Sequence, residues 1–175
     1  EIQDILDTTL TYVPQLIEAD YVAILMGEDN REAMRRVATF YDNEKHILLD
    51  ATWDDFAVDT IASAAWTTSE MVNVTQMHSN WEWKHPRERV LESMIATPLN
   101  SGGTRYGVLE IGGTNAHHFE PHVLETLAQV STQISIALAN AAAYTASQQS
   151  ASNRALANEI IAKMQQQQEI ESILR

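Results

Sequence analysis

The stretch Leu91–Gly113 reads LESMIATPLNSGGTRYGVLEIGG. Two apolar runs of β-forming residues flank the polar turn Asn100–Thr104, in which the Gly102-Gly103 pair can adopt positive φ angles. This pattern predicts a β-hairpin. Shortly afterwards, His118-Phe119-Glu120-Pro121 opens a helical pattern with no clear stop before the end of the sequence. A hairpin that leads into a long helix is the arrangement by which a small sensory domain passes a signal onward.

The residues before the hairpin predict one helix and several strands. Apolar residues recur every three or four positions over residues 2–18, which predicts an amphipathic helix that Pro14 kinks or restarts. The apolar run 19–26 predicts a strand buried on both sides, and Ala33–Tyr41 predicts the next strand. Met71–Val74 predicts a further short strand.

Residues 42–70 give an ambiguous pattern. We expect Asp54-Asp55 to cap a helix, because aspartate is a favoured N-cap residue. The apolar face of that helix would use Phe56, Ile61, Ala65 and Trp66.

The C-terminal part of the sequence predicts one long helix that begins near Pro121, since no glycine or proline follows that residue. Leu156, Ile160, Ile170 and Leu174 keep a three-four spacing, which indicates a weak coiled-coil seam. We therefore predict a folded domain over 1–145 and a helical linker over 146–175 that leads toward a further domain. We also predict a parallel homodimer through residues 1–18 and 125–175.

Composition excludes several classes of partner. The chain has 175 residues, of which 24 are acidic and 11 basic, and its formal net charge is -13. A surface this acidic repels nucleic acids and anionic lipid headgroups, so we expect neither nucleic-acid binding nor membrane contact. No apolar run approaches the length of a membrane span. Cysteine is absent, which excludes disulfides and thiolate chemistry and fits a cytoplasmic location.

The order of these elements resembles a GAF domain over residues 1–145. The similarity is carried by Ala96-Thr97-Pro98-Leu99, by Gly107–Ile111, by Phe119 and by the apolar pattern Leu127–Asn140. The resemblance implies an α+β fold with a central antiparallel sheet of five to six strands. The N- and C-terminal helices would pack on one face of the sheet, and a ligand pocket would lie on the other face beneath the 45–90 segment.

The resemblance also implies a set of functions. GAF domains are sensory or dimerising modules of bacterial histidine kinases, diguanylate cyclases and phosphodiesterases, and they bind cyclic nucleotides, linear tetrapyrroles, haem, small metabolites or no ligand. The signature of cyclic-nucleotide binding is missing, because no Asn-Lys pair precedes Phe119 and Val123-Leu124 follow it. The absence of cysteine excludes covalent bilin attachment and the thiol-dependent methionine sulfoxide reductases of this fold. Nothing in the histidine spacing indicates haem ligation.

One segment concentrates residues that suit ligand recognition. Indole faces stack on flat ligands, and guanidinium groups bind carboxylate or phosphate. In the segment 78–89 the predicted ligand-binding residues are His78, Trp81, Trp83, His85, Arg87 and Arg89. The alternative is a covering loop whose tryptophans fill the domain's own core. Trp66, which lies before this segment, is predicted to line the pocket, with packing in the core as the alternative.

The remaining polar residues give no sign of a metal site or of catalysis. The cluster His117, His118 and His122 lies near a helix start without cysteine or a facing acidic group, so solvated histidines explain it better than a metal. We expect no catalytic residues. The sequence thus predicts a non-catalytic sensory GAF module that binds a small molecule; the alternative is a degenerate GAF domain that serves as a dimerisation module or spacer.

Overall fold

The computed structural model describes residues 2–28, 33–49, 54–55, 60–76, 90–116 and 119–173. For residues 54–55 and 169–173 it describes the backbone alone. The contacts divide the chain into two units, Glu1–Ala139 and Asn140–Arg175.

Within the described residues, three helices and seven strands follow one another along the chain. They are α1 (Ile2–Leu16), β1 (Tyr21–Gly27), β2 (Ala33–Tyr41), β3 (Glu44–Ile47), β4 (Asp54–Asp55), α2 (Ile61–Thr68), β5 (Val72–Val74), β6 (Ser93–Ser101), β7 (Thr104–Gly113) and α3 (Pro121–Ile173). Over the described residues, no helix is long and apolar enough to cross a membrane.

The strands form one antiparallel sheet in the order β3-β2-β1-β7-β6-β5. The short strand β4 pairs with the first two residues of β2. The α+β class and the central antiparallel sheet are therefore confirmed. The predicted hairpin is also confirmed: β6 and β7 are joined by Gly102 and Gly103, whose φ angles are 59° and 83°. Two consecutive positive φ angles match the twist of the flanking strands and suit glycine.

The first helix differs from its prediction near its end. It runs through Pro14 as one element and ends at Leu16, so the predicted restart at Pro14 is wrong, while a kink there stays a prediction. The backbone N–H of Ala19 donates to the carbonyl of Pro14 at 3.0 Å, and Glu18 adopts a positive φ of 50°. This hydrogen bond and the left-handed residue are the usual means of ending a helix.

The predicted capping role of Asp54-Asp55 is wrong. These two residues form β4, which pairs with Ala33 and Met34 of β2. The N-cap of α2 is Thr60, whose side chain accepts a hydrogen bond from the Ser63 backbone N–H at 3.1 Å. Threonine satisfies a free helix N–H as aspartate does, and Thr60 directly precedes Ile61.

The face of the sheet that carries α1 and α3, here called the first face, contains the larger apolar cluster. Because side chains alternate between the faces of a strand, it takes every second residue of the central strands. Its buried members include Leu6, Leu10, Val22, Ile24, Ile95, Leu99, Leu109, Ile111, Leu127, Ile134 and Leu138. The N- and C-terminal helices therefore pack on one face, as predicted.

The opposite face, here called the second face, packs against α2. Its buried apolar residues are Tyr21, Ala23, Leu25, Met34, Ile61, Ala62, Ala65, Trp66, Leu91, Met94, Ala96 and Val108. Several of the sheet residues in this set are small. The second face is also where the described structure buries charged side chains.

Candidate functional site

Glu110 is a buried carboxylate in the middle of the central strand β7. Its exposed fraction is 3%. The register pairs it with Ala23 of β1 on one side and with Ala96 of β6 on the other. Glu110 therefore lies on the second face between two alanines, whose side chains are short.

Arg36 on β2 supplies the charge opposite Glu110. Its Nη1 donates to Oε2 of Glu110 at 2.8 Å, and their side chains are 13% and 4% exposed. Strand β1 lies between β2 and β7. The arginine must therefore span two strand spacings, about 10 Å in all. Because Ala23 is the β1 residue opposite Glu110, its small side chain leaves that path open.

Tyr21 completes the cluster from the first position of β1. Its hydroxyl accepts a hydrogen bond from Nη1 of Arg36, and the residue is 1% exposed. One guanidinium nitrogen thus contacts a carboxylate and a phenol. Thr39, which pairs with Ala23 from β2, adds a buried hydroxyl side chain to the same row of the sheet.

The Arg36–Glu110 pair sits in a face that is otherwise mainly apolar. Moving two charges out of water costs several kcal/mol per ion, and an apolar pair of similar volume is often at least as stable. A contribution to folding stability therefore gives little reason for the presence of this ion pair. A few placed polar groups on an apolar floor are typical of small-molecule sites.

Trp66 is the predicted site residue that the structure describes, and it lies in the core of the second face. It is 4% exposed, and a Cβ added to Gly27 would come within 2.6 Å of its ring. The guanidinium of Arg105 stacks on the ring at 4.6 Å and donates to the Trp66 carbonyl at 3.2 Å. That carbonyl lies in the last turn of α2, where a cation is favourable.

The other predicted ligand-binding residues lie outside the described residues. These are His78, Trp81, Trp83, His85, Arg87 and Arg89. Their contact with a ligand stays a prediction, and so does that of Trp66.

Of the three histidines near the start of α3 for which we expect no metal, His117 and His118 also lie outside the described residues. His122 is exposed and lies 3.4 Å from the carboxylate of Glu120. Among the residues that the structure describes, no group of three or more His, Asp or Glu side chains could hold a metal ion.

Sequence reasoning missed Tyr21, Arg36 and Glu110, although one signal was available. Glu110 interrupts the apolar run Gly107–Ile111 of a predicted central strand. A carboxylate on a buried strand requires a partner. The identity of that partner was hidden, since Arg36 is 74 residues away in sequence.

A family model described as GAF domain matches residues 1–139. The chain belongs to the GAF family. No curated protein matches this GAF domain. The predicted resemblance is therefore confirmed at the level of family and fold.

Solved structures of three kinds of protein share the fold. The GAF domain of a two-component sensor histidine kinase from Bacillus halodurans has a TM-score of 0.66 and 16% identity, over 82% of this chain and 97% of that one. The GAF domain of a phosphoenolpyruvate-protein phosphotransferase from Coxiella burnetii has a TM-score of 0.66 and 14% identity, over 83% and 87%.

The third is an enzyme by its own description. It is the type II free methionine-R-sulfoxide reductase from Thermoplasma acidophilum, with a TM-score of 0.60 and 14% identity over 77% of this chain and 92% of that one. At such identities the likeness concerns the fold alone. The function has to be argued from this chain's own residues.

Proposed function

We propose that this GAF domain is a non-catalytic sensory module of a larger signal-transduction protein, such as a histidine kinase. In this proposal a small molecule binds over the second face, and its presence is transmitted through a dimer of the C-terminal helix. The buried Arg36–Glu110 pair with Tyr21 is the observation that carries the proposal. It supplies a carboxylate, a guanidinium and a phenol within one apolar face.

The position of α2 supports a site over β1 and β2. That helix packs mainly on β6 and β7, whereas Tyr21 and Arg36 belong to β1 and β2. Small side chains at Ala23 and Ala96 flank Glu110. A ligand with one hydrogen-bonding group and an apolar body matches this combination.

Strand β7 offers a direct path from the second face to α3. Glu110 points to the second face, while its neighbours Leu109 and Ile111 belong to the first-face cluster together with Leu127 and Ile134 of α3. Suppose that β7 can take two placements relative to α3. A ligand that binds one of these placements more tightly would then favour one packing of α3. Such differential affinity is what binding needs in order to signal.

The non-catalytic part of the proposal rests on composition. The chain has no cysteine, so it lacks the thiol that a thiol-based reduction requires. The fold is shared with a reductase, but fold alone does not carry the chemistry.

The test of ligand binding is native purification followed by denaturation and mass spectrometry of the released material. We expect one small molecule in stoichiometric amount, retained by Arg154→Met and depleted at least severalfold in Arg36→Met. Arg154 is an exposed arginine of α3, so its loss changes the charge equally without touching the site. Circular dichroism of both variants establishes that they are folded.

An empty protein whose second face also fails to bind a library of small metabolites would contradict the sensory proposal. It would favour the degenerate module, in which the domain's own side chains fill the pocket. The dense packing of Trp66 against Gly27 is the observation that favours this second candidate.

Dimerisation is proposed from exposed apolar side chains on both predicted segments. On α1, Tyr12 is 64% and Leu16 57% exposed; on α3, Leu156 is 58% and Ile160 50% exposed. Apolar residues at helical spacing that face water are typical of a seam awaiting a partner helix. Light scattering at high micromolar concentration should give twice the monomer mass, and Ile160→Glu should lower it. A strict monomer in the unaltered chain would remove this part of the proposal.

A further inference from the structure

A cavity opens at the end of the sheet where β1 begins and β2 ends. Its volume is about 350 Å³, and we name it the end cleft. Sites for small molecules begin at about 300 Å³. Its described lining includes Asp20, Tyr21, Phe40, Tyr41, Asn43 and Leu91. Tyr21 is also a member of the second-face site, but Arg36 and Glu110 do not line the cleft.

The chain connections around the end cleft are held by hydrogen-bonded turns. The α1–β1 connection is closed by the hydrogen bond from the Ala19 N–H to the Pro14 carbonyl. The β2–β3 turn consists of Asp42 and Asn43, whose φ angles are 52° and 60°. Two positive φ angles define a tight hairpin turn, which aspartate and asparagine tolerate better than other non-glycine residues. The walls of the cleft are therefore formed before any ligand arrives.

Asp20 gives the end cleft a negative charge that its hydrogen bonds do not neutralise. Its Oδ2 accepts from the backbone N–H and the hydroxyl of Thr114, each at 2.8 Å. Both donors are neutral, so neither of these hydrogen bonds brings a positive charge to the carboxylate. Among the described lining residues there is no lysine or arginine, and Asp42 adds a second carboxylate.

Aromatic rings form part of the wall beside this charge. Phe40 packs against the first-face cluster, which fixes its ring. The ring of Tyr41 stacks on His46 with centroids 4.7 Å apart and an interplanar angle of 18°. Aromatic faces attract cations, and a carboxylate nearby adds to that attraction.

We propose that the end cleft is a second binding site, which takes an organic cation. The ligand would be a protonated amine or quaternary ammonium group on an apolar body, with the cation beside Asp20 and the body against the ring of Tyr41, which lies on the second-face side, whereas Phe40 lies on the first-face side. This site goes beyond the proposed function, because it uses neither charge of the Arg36–Glu110 pair. The formal net charge of -13 raises the local concentration of such cations around the protein.

The test is a titration of the full chain, followed by amide chemical shifts, with 2-phenylethylammonium as probe and 2-phenylethanol as its neutral analogue. We expect the ammonium probe to shift the amides of Asp20, Asn43 and Thr114 and to bind more tightly than the alcohol. Asp20→Asn should weaken the ammonium probe about fivefold and leave the alcohol unchanged. Asparagine keeps an oxygen that can accept from Thr114, so the variant should fold.

The matched control is Glu125→Gln, which removes the same charge from an exposed position of α3. It should leave the affinity for both probes unchanged. As a second variant, Tyr41→Leu should weaken the ammonium probe about threefold relative to the alcohol, through loss of an aromatic face. Equal affinity for the two probes, no effect of Asp20→Asn, or an equal effect of Glu125→Gln would overturn the proposal. Shifts confined to residues away from the cleft would do the same.

Discussion

The first face of the sheet is buried by α1 and α3 through aliphatic side chains, whereas the second face buries a carboxylate and a guanidinium beside tryptophan and alanine. The polar residues that are buried on the described part of the first face, such as Thr97, Ser131 and Ser135, carry hydroxyls, while the charged contact of Lys45 with Asp7 of α1 is exposed. The hydroxyl of Thr97 lies 3.4 Å from the hydroxyl of Ser131, and the hydroxyl of Ser135 donates to the backbone carbonyl of Ser131 at 2.6 Å. Hydroxyls that bond locally cost little to bury, but charges cost much more.

This contrast separates the tasks of the two faces. Aliphatic packing on the first face supplies stability and holds the helix that leads out of the domain. In the proposed function, the second face keeps a charged pair that an apolar pair of similar volume could replace at little cost in stability. Substitutions on each face test this difference.

The largest effect should come from a cavity in the first face. Leu109→Ala removes a fully buried side chain, 0% exposed, from the centre of the aliphatic cluster. The lost transfer energy and the cavity together should lower the free energy of unfolding by about 3 kcal/mol. Urea denaturation measures this, with Leu48→Ala as control, because Leu48 is 66% exposed. A loss below that of the control would show that the first face is not the main source of stability.

The next effect concerns the charged pair of the second face. Arg36→Met leaves the carboxylate of Glu110 without its arginine and should lower the free energy of unfolding by about 2 kcal/mol, the cost of one unsatisfied polar group in a part-buried contact. The double variant Arg36→Met/Glu110→Leu should recover most of that loss, because no unpaired charge remains. A double-mutant cycle by urea denaturation measures the coupling. If the double variant were less stable than Arg36→Met, the pair would be a stabilising feature, and the contrast between the faces would fail.

A smaller effect should follow from loss of the cap of α2. Thr60→Ala removes the side-chain oxygen that accepts from the Ser63 N–H, and it should cost about 1 kcal/mol of unfolding free energy. Thr132→Ala, an exposed threonine within α3, is the control and should change it by less than about 0.5 kcal/mol. Thermal unfolding followed by circular dichroism distinguishes the two. If both variants lowered the unfolding temperature equally, the Thr60 cap would not stabilise α2, the helix that packs on the second face.

The smallest effect should come from the hydroxyls of the first face. The double variant Thr97→Val/Ser131→Ala removes both partners of one weak hydrogen bond, so no buried group loses its partner. We expect a change in unfolding free energy of about 0.5 kcal/mol or less. A loss comparable to that of Arg36→Met would show that polar groups matter equally on both faces.

The β6–β7 hairpin and the helices α1 and α3 could be predicted from the sequence because their signals are local. Gly102-Gly103 specifies a turn with positive φ angles, and Pro121 suits the first turn of a helix. The β2–β3 turn at Asp42-Asn43 carries a similar local signal, but it fell within the ambiguous segment. The cap at Asp54-Asp55 was mispredicted because Thr60 competes for the same role and only the pairing with β2 decides between them.

The candidate site was less accessible from sequence. Tryptophan, histidine and arginine in residues 78–89 form a conspicuous cluster, whereas Tyr21, Arg36 and Glu110 are scattered along the chain. An ion pair between strands depends on the register of the strands and on the face that each side chain takes. A one-residue shift in register moves every side chain of a strand to the opposite face.

The GAF fold, the acidic surface and the exclusion of cysteine chemistry can all be predicted from the amino-acid sequence. These follow from local patterns and composition, which need no knowledge of long-range contacts. Only the tertiary structure decided that Arg36 meets Glu110 across β1, that Tyr21 joins them, and that Asp20 lies in a cleft beside Phe40 and Tyr41. The physical reason is strand order: β1 lies between β2 and β7, so the sheet brings together residues that the chain keeps far apart.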